Sequence, residues 1–207
     1  MSTTTTSRTI RPRRLAALSL ATLTAASLGL TAAATSAQAA TPTCLGLKAT
    51  IVGTSGSDEI NGTSGRDVIV ARGGSDEIDG RGGNDVICAG SGNDEIEGGA
   101  GVDRIHGGSG HDEIEGERGN DRLIGGKGHD DLEGDSGADI VRGGSGNDHL
   151  EGGSGRDRLA GQSGHDLVEG EGGRDRVSGG SGRDVVRQGS ASERVEERWD
   201  DRYGHDG

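Results

Sequence analysis

The 207-residue chain is rich in glycine, with 43 glycines, and only 28 % of its residues are hydrophobic. Phe is absent, and Trp and Tyr each occur once. This composition excludes an ordinary globular core, because too little apolar surface is available to offset the entropy lost when the chain orders. Collagen is also excluded, since the chain has two prolines and no three-residue glycine period. A disordered chain and a repeat array remain, and periodicity decides between them.

The segment at residues 1–39 differs in composition from the rest and predicts a cleavable export signal. Four arginines precede a mainly apolar stretch at residues 15–34, which is followed by the small-residue pattern Ala37-Gln38-Ala39. A membrane anchor is the alternative, but serine and threonine dilute the apolar stretch. We therefore expect cleavage after Ala39, no membrane span in the mature chain, and a secreted, extracellular protein. The pair Arg13-Arg14 leaves the twin-arginine and general secretory routes both open.

The charge of the chain indicates which partners it suits. The formal charge is −13, from 22 basic and 35 acidic residues. Cleavage after Ala39 removes four arginines and no acid, which leaves 18 basic and 35 acidic residues and a charge of −17. A chain this acidic is a poor partner for nucleic acid. It is suited to cations, because carboxylates are the hard oxygen ligands that calcium prefers.

From Gly53 to Arg187 the chain divides into fifteen consecutive nonapeptide units without an insertion or deletion. Position four is Gly in every unit, position one is Gly in thirteen, and position eight is aliphatic in all fifteen, from Ile60 to Val186. Position six is always Asp. These aspartates are Asp58, Asp67, Asp76, Asp85, Asp94, Asp103, Asp112, Asp121, Asp130, Asp139, Asp148, Asp157, Asp166, Asp175 and Asp184.

The period predicts one turn and one short strand in each unit. Six positions rich in Gly and Asp predict the turn, and three positions with a central aliphatic residue predict the strand. Because side chains alternate along a strand, position eight points inward and positions seven and nine point outward. Two units then make one coil of a flattened solenoid, with odd-numbered units in one sheet and even-numbered units in the other. We expect an all-β roll over residues 53–187.

Such a roll needs more than its own core. Fifteen aliphatic side chains are too few to offset the backbone entropy of fifteen ordered units. Fifteen aspartates along the turns also repel one another unless cations lie among them. Calcium would neutralise the repelling aspartates and add binding free energy to the small core. It binds six to eight oxygens, including carboxylates and the carbonyls that glycine turns expose. Its binding free energy then contributes to folding.

The unit Gly107-Gly-Ser-Gly-His-Asp112-Glu-Ile114-Glu115 resembles the RTX, or hemolysin-type, calcium-binding nonapeptide repeat. The resemblance implies a right-handed parallel β-roll that is largely disordered without calcium. It also implies that the fifteen position-six aspartates are calcium ligands, together with backbone carbonyls of the turns. If units n and n+2 share each ion, fifteen turns offer at most 13 complete sites. Toxin and protease activities are not carried over, because RTX toxins usually leave by a C-terminal signal and append the roll to an effector domain.

Position two departs from the family pattern, because it is Gly in only seven units. If the turn needs a positive φ there, the other eight units are strained. Their position-two residues are Thr54, Thr63, Arg72, Arg81, Glu117, Asp135, Gln162 and Glu171.

The outward positions predict two faces of unlike charge. The face of the odd-numbered units is acidic, and the face of the even-numbered units carries arginine and aliphatic residues. The acidic side chains are Glu59, Glu77, Asp79, Glu95, Glu97, Glu113, Glu115, Asp131, Glu133, Glu151 and Glu169, against Arg187 alone. The outward arginines of the other face are Arg104, Arg122, Arg142, Arg158 and Arg176. One hypothesis is that the acidic face contacts a cationic surface, such as a mineral or a calcium-bridged polysaccharide, and the alternative is that both faces are merely solvated.

Cys44 and Cys88 are the only cysteines, and export favours one disulfide between them. Two free thiols or an intermolecular bridge are the alternatives. The disulfide would tie an N-terminal cap segment, residues 40–52, to the fourth unit. Within that segment, residues 49–52 have the pattern of a degenerate first strand.

The C-terminal segment, residues 188–207, is predicted to be a cap or tail. Val195, Trp199 and Tyr203 recur at helical spacing and predict a short amphipathic helix that covers the open end of the roll. A helix that docks a partner is the alternative.

No catalytic constellation stands out, and the parts of the mature chain outside the repeats are too short for a catalytic domain. His111, His129 and His165 occupy position five, where Asn also occurs, and are interpreted as turn residues. We expect a calcium-binding protein that is not an enzyme. The alternative function is an adhesive or matrix module that uses the acidic face.

Overall fold

The computed structural model describes residues 41–189, of which residues 51–187 form a parallel β-solenoid of about eight coils. Each coil takes two nonapeptide units, so that Ile105 pairs with Leu123, the equivalent residue two units further along the chain. This architecture confirms the predicted all-β roll. The strands and turns of the described part include no helix, and therefore none that could cross a membrane. The predicted export signal and residues 190–207 of the predicted C-terminal cap lie outside the described residues.

Odd-numbered units supply one eight-stranded parallel sheet, called the odd sheet. Its strands are Glu59–Asn61, Glu77–Asp79, Glu95–Glu97, Glu113–Glu115, Asp131–Glu133, His149–Glu151, Leu167–Glu169 and Val185–Arg187. The register pairs Glu113 with Asp131 and Ile114 with Leu132. Equivalent positions of successive odd units therefore stack along the roll, as the period predicts.

The seven even-numbered units and Ile51–Val52 of the N-terminal segment supply the second eight-stranded parallel sheet, called the even sheet. Its strands are Ile51–Val52, Val68–Val70, Val86–Ser91, Arg104–Ser109, Arg122–Lys127, Ile140–Ser145, Arg158–Ser163 and Arg176–Ser181. The predicted strand length of three is wrong here, because six of these strands are twice as long and continue into the next unit. Glycine permits this continuation, since a Cβ on Gly108 would overlap the carbonyl oxygen of Gly90 in the neighbouring coil.

Two-residue strands also form within turns of the even-numbered units. Gly82–Gly83 pairs with Ala100–Gly101, and Ser136–Gly137, Ser154–Gly155 and Gly172–Gly173 form a small three-stranded sheet. The turn edge of these units is therefore hydrogen-bonded between coils, which fixes the spacing of their position-six aspartates.

The core lies between the two sheets and is made of the position-eight side chains together with Ala71 and Ala89. Thirteen of the fifteen are buried, from Ile60 to Val168. Val177 and Val186, at the C-terminal end of the described roll, are partly buried. The inward orientation predicted for position eight therefore holds along the described roll.

The outer face of the even sheet is covered at its first coils by the N-terminal segment. Val68 and Val86 face outward as predicted, yet they are buried, because Cys44 and Leu47 pack against them in a second small core. A disulfide joins Cys44 to Cys88, with Cα atoms 5.7 Å apart. The predicted disulfide is therefore present and fastens this cover to the roll.

Two further pairings order the N-terminal segment. Thr43–Cys44 and Leu47–Lys48 form an antiparallel hairpin. Ile51–Val52 pairs in parallel with Ile69 and Val70, which confirms the degenerate first strand.

Candidate metal centre

The position-six aspartates form two stacks, one along the turns of the odd-numbered units and one along the turns of the even-numbered units. Twelve of the fifteen, from Asp67 to Asp166, are buried. Asp58, Asp175 and Asp184 are partly exposed, and all three lie near the ends of the described roll. The roll therefore brings the predicted ligands together in two rows of carboxylates.

Hydrogen bonds fix the orientation of these carboxylates. The backbone N–H of Asp94 donates to Oδ1 of Asp112, at 3.1 Å, and the N–H of Asp103 donates to Oδ1 of Asp121, at 2.8 Å. Thirteen such bonds connect each aspartate from Asp58 to Asp166 with the aspartate two units later. One oxygen of each acceptor carboxylate is thus satisfied by the fold.

The other carboxylate oxygen is left without a donor. Oδ2 is buried and accepts no hydrogen bond from any described residue in eleven consecutive turns. These residues are Asp76, Asp85, Asp94, Asp103, Asp112, Asp121, Asp130, Asp139, Asp148, Asp157 and Asp166. A buried anionic oxygen without a partner is costly, and native proteins supply such a group with a donor or a cation.

Burial raises the pKa of all eleven carboxyl groups. The pKa of Asp112 and of Asp121 rises to about 7, chiefly because burial disfavours the charged form. The pKa values of Asp103, Asp139 and Asp148 rise to about 6 for the same reason. Neighbouring aspartates of the stack raise these pKa values further, whereas the backbone hydrogen bond to Oδ1 lowers them. The stacked carboxylates are therefore electrostatically unsatisfied as anions.

Carbonyl oxygens of the turns offer further oxygen ligands. The position-four carbonyls of Gly92, Gly110 and Gly128 accept no backbone hydrogen bond from a described residue. A Cβ on Gly128 would overlap the carbonyl oxygen of Gly110 and would lie 3.3 Å from Oδ1 of Asp130. Only glycine leaves this oxygen-lined space open at position four of the turns that follow another coil, from Gly74 onward.

The first two turns are built differently. The backbone N–H of Thr54 donates to Oδ2 of Asp58 at 2.6 Å, and the N–H of Thr63 donates to Oδ2 of Asp67 at 2.7 Å. Both carboxylates therefore obtain from their own turn the donors that the following eleven lack.

The expected strain at position two arises in six of the eight units without glycine there. Their φ angles lie between 58° and 82°, in the left-handed region. The residues are Arg72, Arg81, Glu117, Asp135, Gln162 and Glu171. Thr54 and Thr63 avoid positive φ, in keeping with their different turns.

Position-five side chains form a further ladder that sequence reasoning missed. Nδ1 of His111 accepts from the backbone N–H of His129 at 2.9 Å, and Nδ1 of His129 accepts from the N–H of Asn147 at 2.7 Å. Oδ1 of Asn147 accepts in turn from the N–H of His165 at 2.9 Å. His and Asn both carry a hydrogen-bond acceptor two bonds beyond Cβ, Nδ1 in His and Oδ1 in Asn. The interchange of His and Asn at position five was therefore the sequence signal that could have predicted this ladder.

The donor set of the turns fits calcium. Among the described residues, every buried side-chain atom without a hydrogen-bond partner is a carboxylate oxygen, and carbonyl oxygens of the turns lie beside these carboxylates. Calcium takes six to eight such oxygens in flexible geometry. A family model of the RTX calcium-binding nonapeptide repeat matches four times, at residues 52–87, 89–123, 115–150 and 151–186. The chain belongs to this RTX family. No curated protein matches the chain.

Membership of the RTX family implies that these repeats bind calcium. In the RTX roll described here, the eleven turns from Asp76 to Asp166 carry the unsatisfied oxygens. Position-six aspartates would hold the ion in each of them, and calcium would supply the positive charge that the buried carboxylates lack.

A separate ionic cluster interrupts the acidic face of the odd sheet. Nδ1 of His149 lies 3.0 Å from Oδ1 of Asp131, and its Nε2 lies 3.2 Å from Oε1 of Glu151 and 3.5 Å from Oε2 of Glu169. Arg187 pairs with the other oxygen of Glu169 and lowers its pKa. The Arg187 guanidinium relieves repulsion between carboxylates that the register otherwise stacks together, and the His149 ring lies among three of them.

Proposed function

We propose that the chain is an exported calcium-binding protein whose RTX roll folds as it binds several calcium ions between successive turns. The proposal assigns it no catalytic role. Its function is then that of a rod that is ordered outside the cell, where calcium is available, and disordered where calcium is scarce.

The eleven buried Oδ2 atoms without donors carry this proposal. Each one opposes folding of the calcium-free chain, because a desolvated carboxylate lacks the interactions that it makes in water. A cation that coordinates these oxygens reverses the penalty, and the binding free energy then becomes folding free energy. Such coupling of binding to folding is expected here, because each nonapeptide unit contributes little more than one aliphatic side chain to the hydrophobic core.

The same atoms supply an estimate of the number of ions. Thr54 and Thr63 satisfy the first two carboxylates, whereas Asp175 and Asp184, at the other end, are partly exposed. Eleven consecutive turns remain, and because each ion would be shared by units n and n+2, they form at most nine complete sites among themselves, against the geometric upper limit of 13 for all fifteen turns. We propose that these eleven aspartates are the principal calcium ligands and that the terminal turns bind weakly.

Far-UV circular dichroism tests the proposal, with the purified chain titrated from chelator with Ca²⁺ and, separately, with Mg²⁺. A cooperative change from coil to β-structure with calcium alone supports coupled binding and folding, because magnesium demands a rigid octahedral shell and dehydrates reluctantly. A spectrum that is already rich in β-structure in chelator, or that responds to neither ion, contradicts it.

Export rests on the sequence of the segment 1–39 and on the disulfide between Cys44 and Cys88, which suits an oxidising compartment. The proposal predicts a mature N-terminus at Ala40. Mass spectrometry of the chain recovered from culture medium tests it, and recovery of the uncleaved chain from the cytoplasm alone contradicts it.

A second candidate function uses the acidic face to bind a cationic surface. Glu59, Glu77, Glu95 and Glu113 stack in register along the odd sheet. Burial and neighbouring carboxylates raise the pKa of Glu97 and Glu115 in the adjacent row, so both rows would be relieved by external cations. Replacing the four stacked glutamates by lysine should abolish adsorption to a calcium mineral while leaving calcium-induced folding intact. Unchanged adsorption contradicts this candidate.

A further inference from the structure

Four arginines lie side by side near the C-terminal end of the described roll. Arg156 and Arg174 occupy position five of two successive even-numbered units, and Arg158 and Arg176 occupy position seven. The register pairs Arg158 with Arg176, and Arg156 and Arg174 share the same offset of two units. All four side chains are exposed. They form a two-by-two cluster on one edge of the even sheet.

The described part of the roll places no carboxylate within ion-pair distance of this cluster. None of the four arginines forms an ion pair with any residue between 41 and 189, where the pairs involve only Arg81, His149 and Arg187. Like charges in register on neighbouring strands are destabilising. Because the cluster opposes the stability of the roll, its presence points to an external anion.

The arginines surround a groove of about 650 Å³, a volume suited to a ligand. Gly173, Gln188 and Gly189 line the rest of the groove, together with Asp157 and Asp175. No apolar side chain lines it, so the groove suits a charged, hydrophilic ligand.

A basic row leads from the groove along the roll. Arg104 pairs with Arg122, which pairs with Ile140, and the row continues through Arg158 to Arg176. Since stacked strands lie about 4.8 Å apart, this row presents cations along roughly 19 Å of the roll axis. Because each coil contributes one side chain to this row, the row can contact a single extended polymer that carries anionic groups along its length.

We propose that the groove and this row bind a linear anionic polysaccharide that carries sulfate or carboxylate groups. Arginine binds planar and tetrahedral oxyanions with paired N–H donors, which suits both groups. The described residues include no Phe, Tyr or Trp, so they offer neither a platform on which nucleic acid bases stack nor one for neutral sugars. Recognition therefore depends on the charge of the polymer.

Binding is coupled to calcium through Asp157 and Asp175, and this coupling rests on the proposed function. Both aspartates line the groove, where their charges repel an anionic polymer. In saturating calcium, an ion held by Asp157 and by the weaker terminal turn of Asp175 neutralises both carboxylates, so that the four arginine charges are no longer offset within the groove. The chain should therefore bind the polymer with calcium present and release it in chelator.

The test uses the full chain in saturating calcium and measures its affinity for dextran sulfate and for carboxymethyl dextran, with neutral dextran as the polymer control. A groove variant removes four charges from the cluster, and a matched control variant removes four exposed arginines elsewhere. The groove variant is R156Q/R158Q/R174Q/R176Q, and the control variant is R66Q/R72Q/R118Q/R183Q. Circular dichroism of the same samples reports whether each variant still folds with calcium.

We expect the groove variant to lose at least about tenfold in affinity, the control variant to lose less than about threefold, and neutral dextran not to bind. The two charged dextrans identify whether sulfate or carboxylate is preferred. Equal losses in both variants, or binding of neutral dextran, would overturn the proposal. Absence of binding by the wild-type chain would also overturn it. In that case, binding by a chain truncated after Gly189 would identify the acidic residues 190–207 as the occupant of the groove.

Two controls keep this test separate from the proposed function. If the groove variant fails to fold, the same four positions are changed to lysine, which keeps the charge but not the paired donors, and reduced affinity of a folded lysine variant supports the proposal. If wild-type chain binds dextran sulfate equally in calcium and in chelator, the calcium coupling is wrong. Loss of calcium-induced folding in the wild-type chain would instead contradict the proposed function.

Discussion

The backbone N–H of Asp94 donates to Oδ1 of Asp112, one coil further along the roll, and Oδ2 of Asp112 remains buried without a donor. In the eleven turns from Asp76 to Asp166, the fold thus uses one oxygen of each carboxylate to join coils and leaves the other without a donor. Under the proposed function this second oxygen binds calcium, which couples folding to ion binding at a single side chain.

Changing Asp112 to Asn should raise the calcium concentration needed for folding. The substitution keeps the Oδ1 acceptor of the hydrogen bond from Asp94 but removes the anionic oxygen. We expect a loss on the order of 1–3 kcal/mol from the calcium-bound roll. The midpoint of a calcium titration followed by circular dichroism measures it. Glu113→Gln is the matched control, because it removes an exposed carboxylate next along the chain, and an equal shift in both variants would contradict a ligand role for Asp112.

The calcium-free roll should be more stable in mild acid than in alkali. The pKa of Asp112 and of Asp121 is about 7 in the roll, against about 3.9 in an unfolded chain. A group whose pKa is raised by folding stabilises the folded state below its unfolded pKa, and this contribution is lost as the pH rises through the folded pKa. In chelator, β-structure should therefore increase as the pH falls from about 8 to about 5. Circular dichroism at constant ionic strength measures this change.

The opposite pH dependence is expected for calcium binding. Protons compete with calcium for the same carboxylates, so the calcium midpoint should rise as the pH falls below about 7. Identical midpoints at pH 5 and pH 8 would show that the stacked aspartates do not bind the ion.

Gly110→Ala should prevent local folding of the roll, whereas Gly56→Ala should not. Gly110 has a φ of 135°, and a Cβ there would overlap the carbonyl oxygen of Gly92. The cost should exceed about 1 kcal/mol, because both the backbone conformation and the contact are incompatible with alanine. At Gly56 the nearest atom to an added Cβ is Oγ1 of Thr54, at 4.0 Å. Urea unfolding in saturating calcium measures both variants, and equal stability would contradict a steric requirement for glycine at Gly110.

Removing the disulfide should lower the stability of the calcium-loaded roll by about 2–4 kcal/mol. The double variant C44S/C88S frees the hairpin that covers Val68 and Val86, so these valines become exposed to water. Urea unfolding in calcium measures the change. Reduction of the wild-type chain should reproduce it, and a reductant should not affect the double variant.

The nonapeptide period was sufficient to predict the sheets, because it places Ile105 and Leu123 in equivalent positions two units apart. It also predicted which side chains enter the core and which face outward. The cysteine pair and the strand at Ile51 followed from equally local features. These properties depend on periodicity and on side-chain alternation, which a sequence displays directly.

Other features depend on contacts between coils and could not be predicted in this way. The extension of strands to residues such as Ser91 requires glycine backbones of neighbouring coils to approach closely. The different turns at Thr54 and Thr63 arise because a hydroxyl-bearing residue at position two lets the turn satisfy its own aspartate. The burial of Val68 depends on the hairpin at residues 43–48, which lies outside the nonapeptide repeats.

The pairing of each residue with its equivalent two units later has a consequence for how such a rod can change in length. Loss or gain of two adjacent units restores every ladder and keeps the acidic and basic faces where they were. Loss of one unit also preserves the turns and the core, but all downstream strands then change sheets and the two faces exchange their charges at that point. If the function of the roll depends on the charge of its two faces, repeats can therefore be gained or lost only two at a time, as a whole coil. If the roll only binds calcium, single units can be gained or lost.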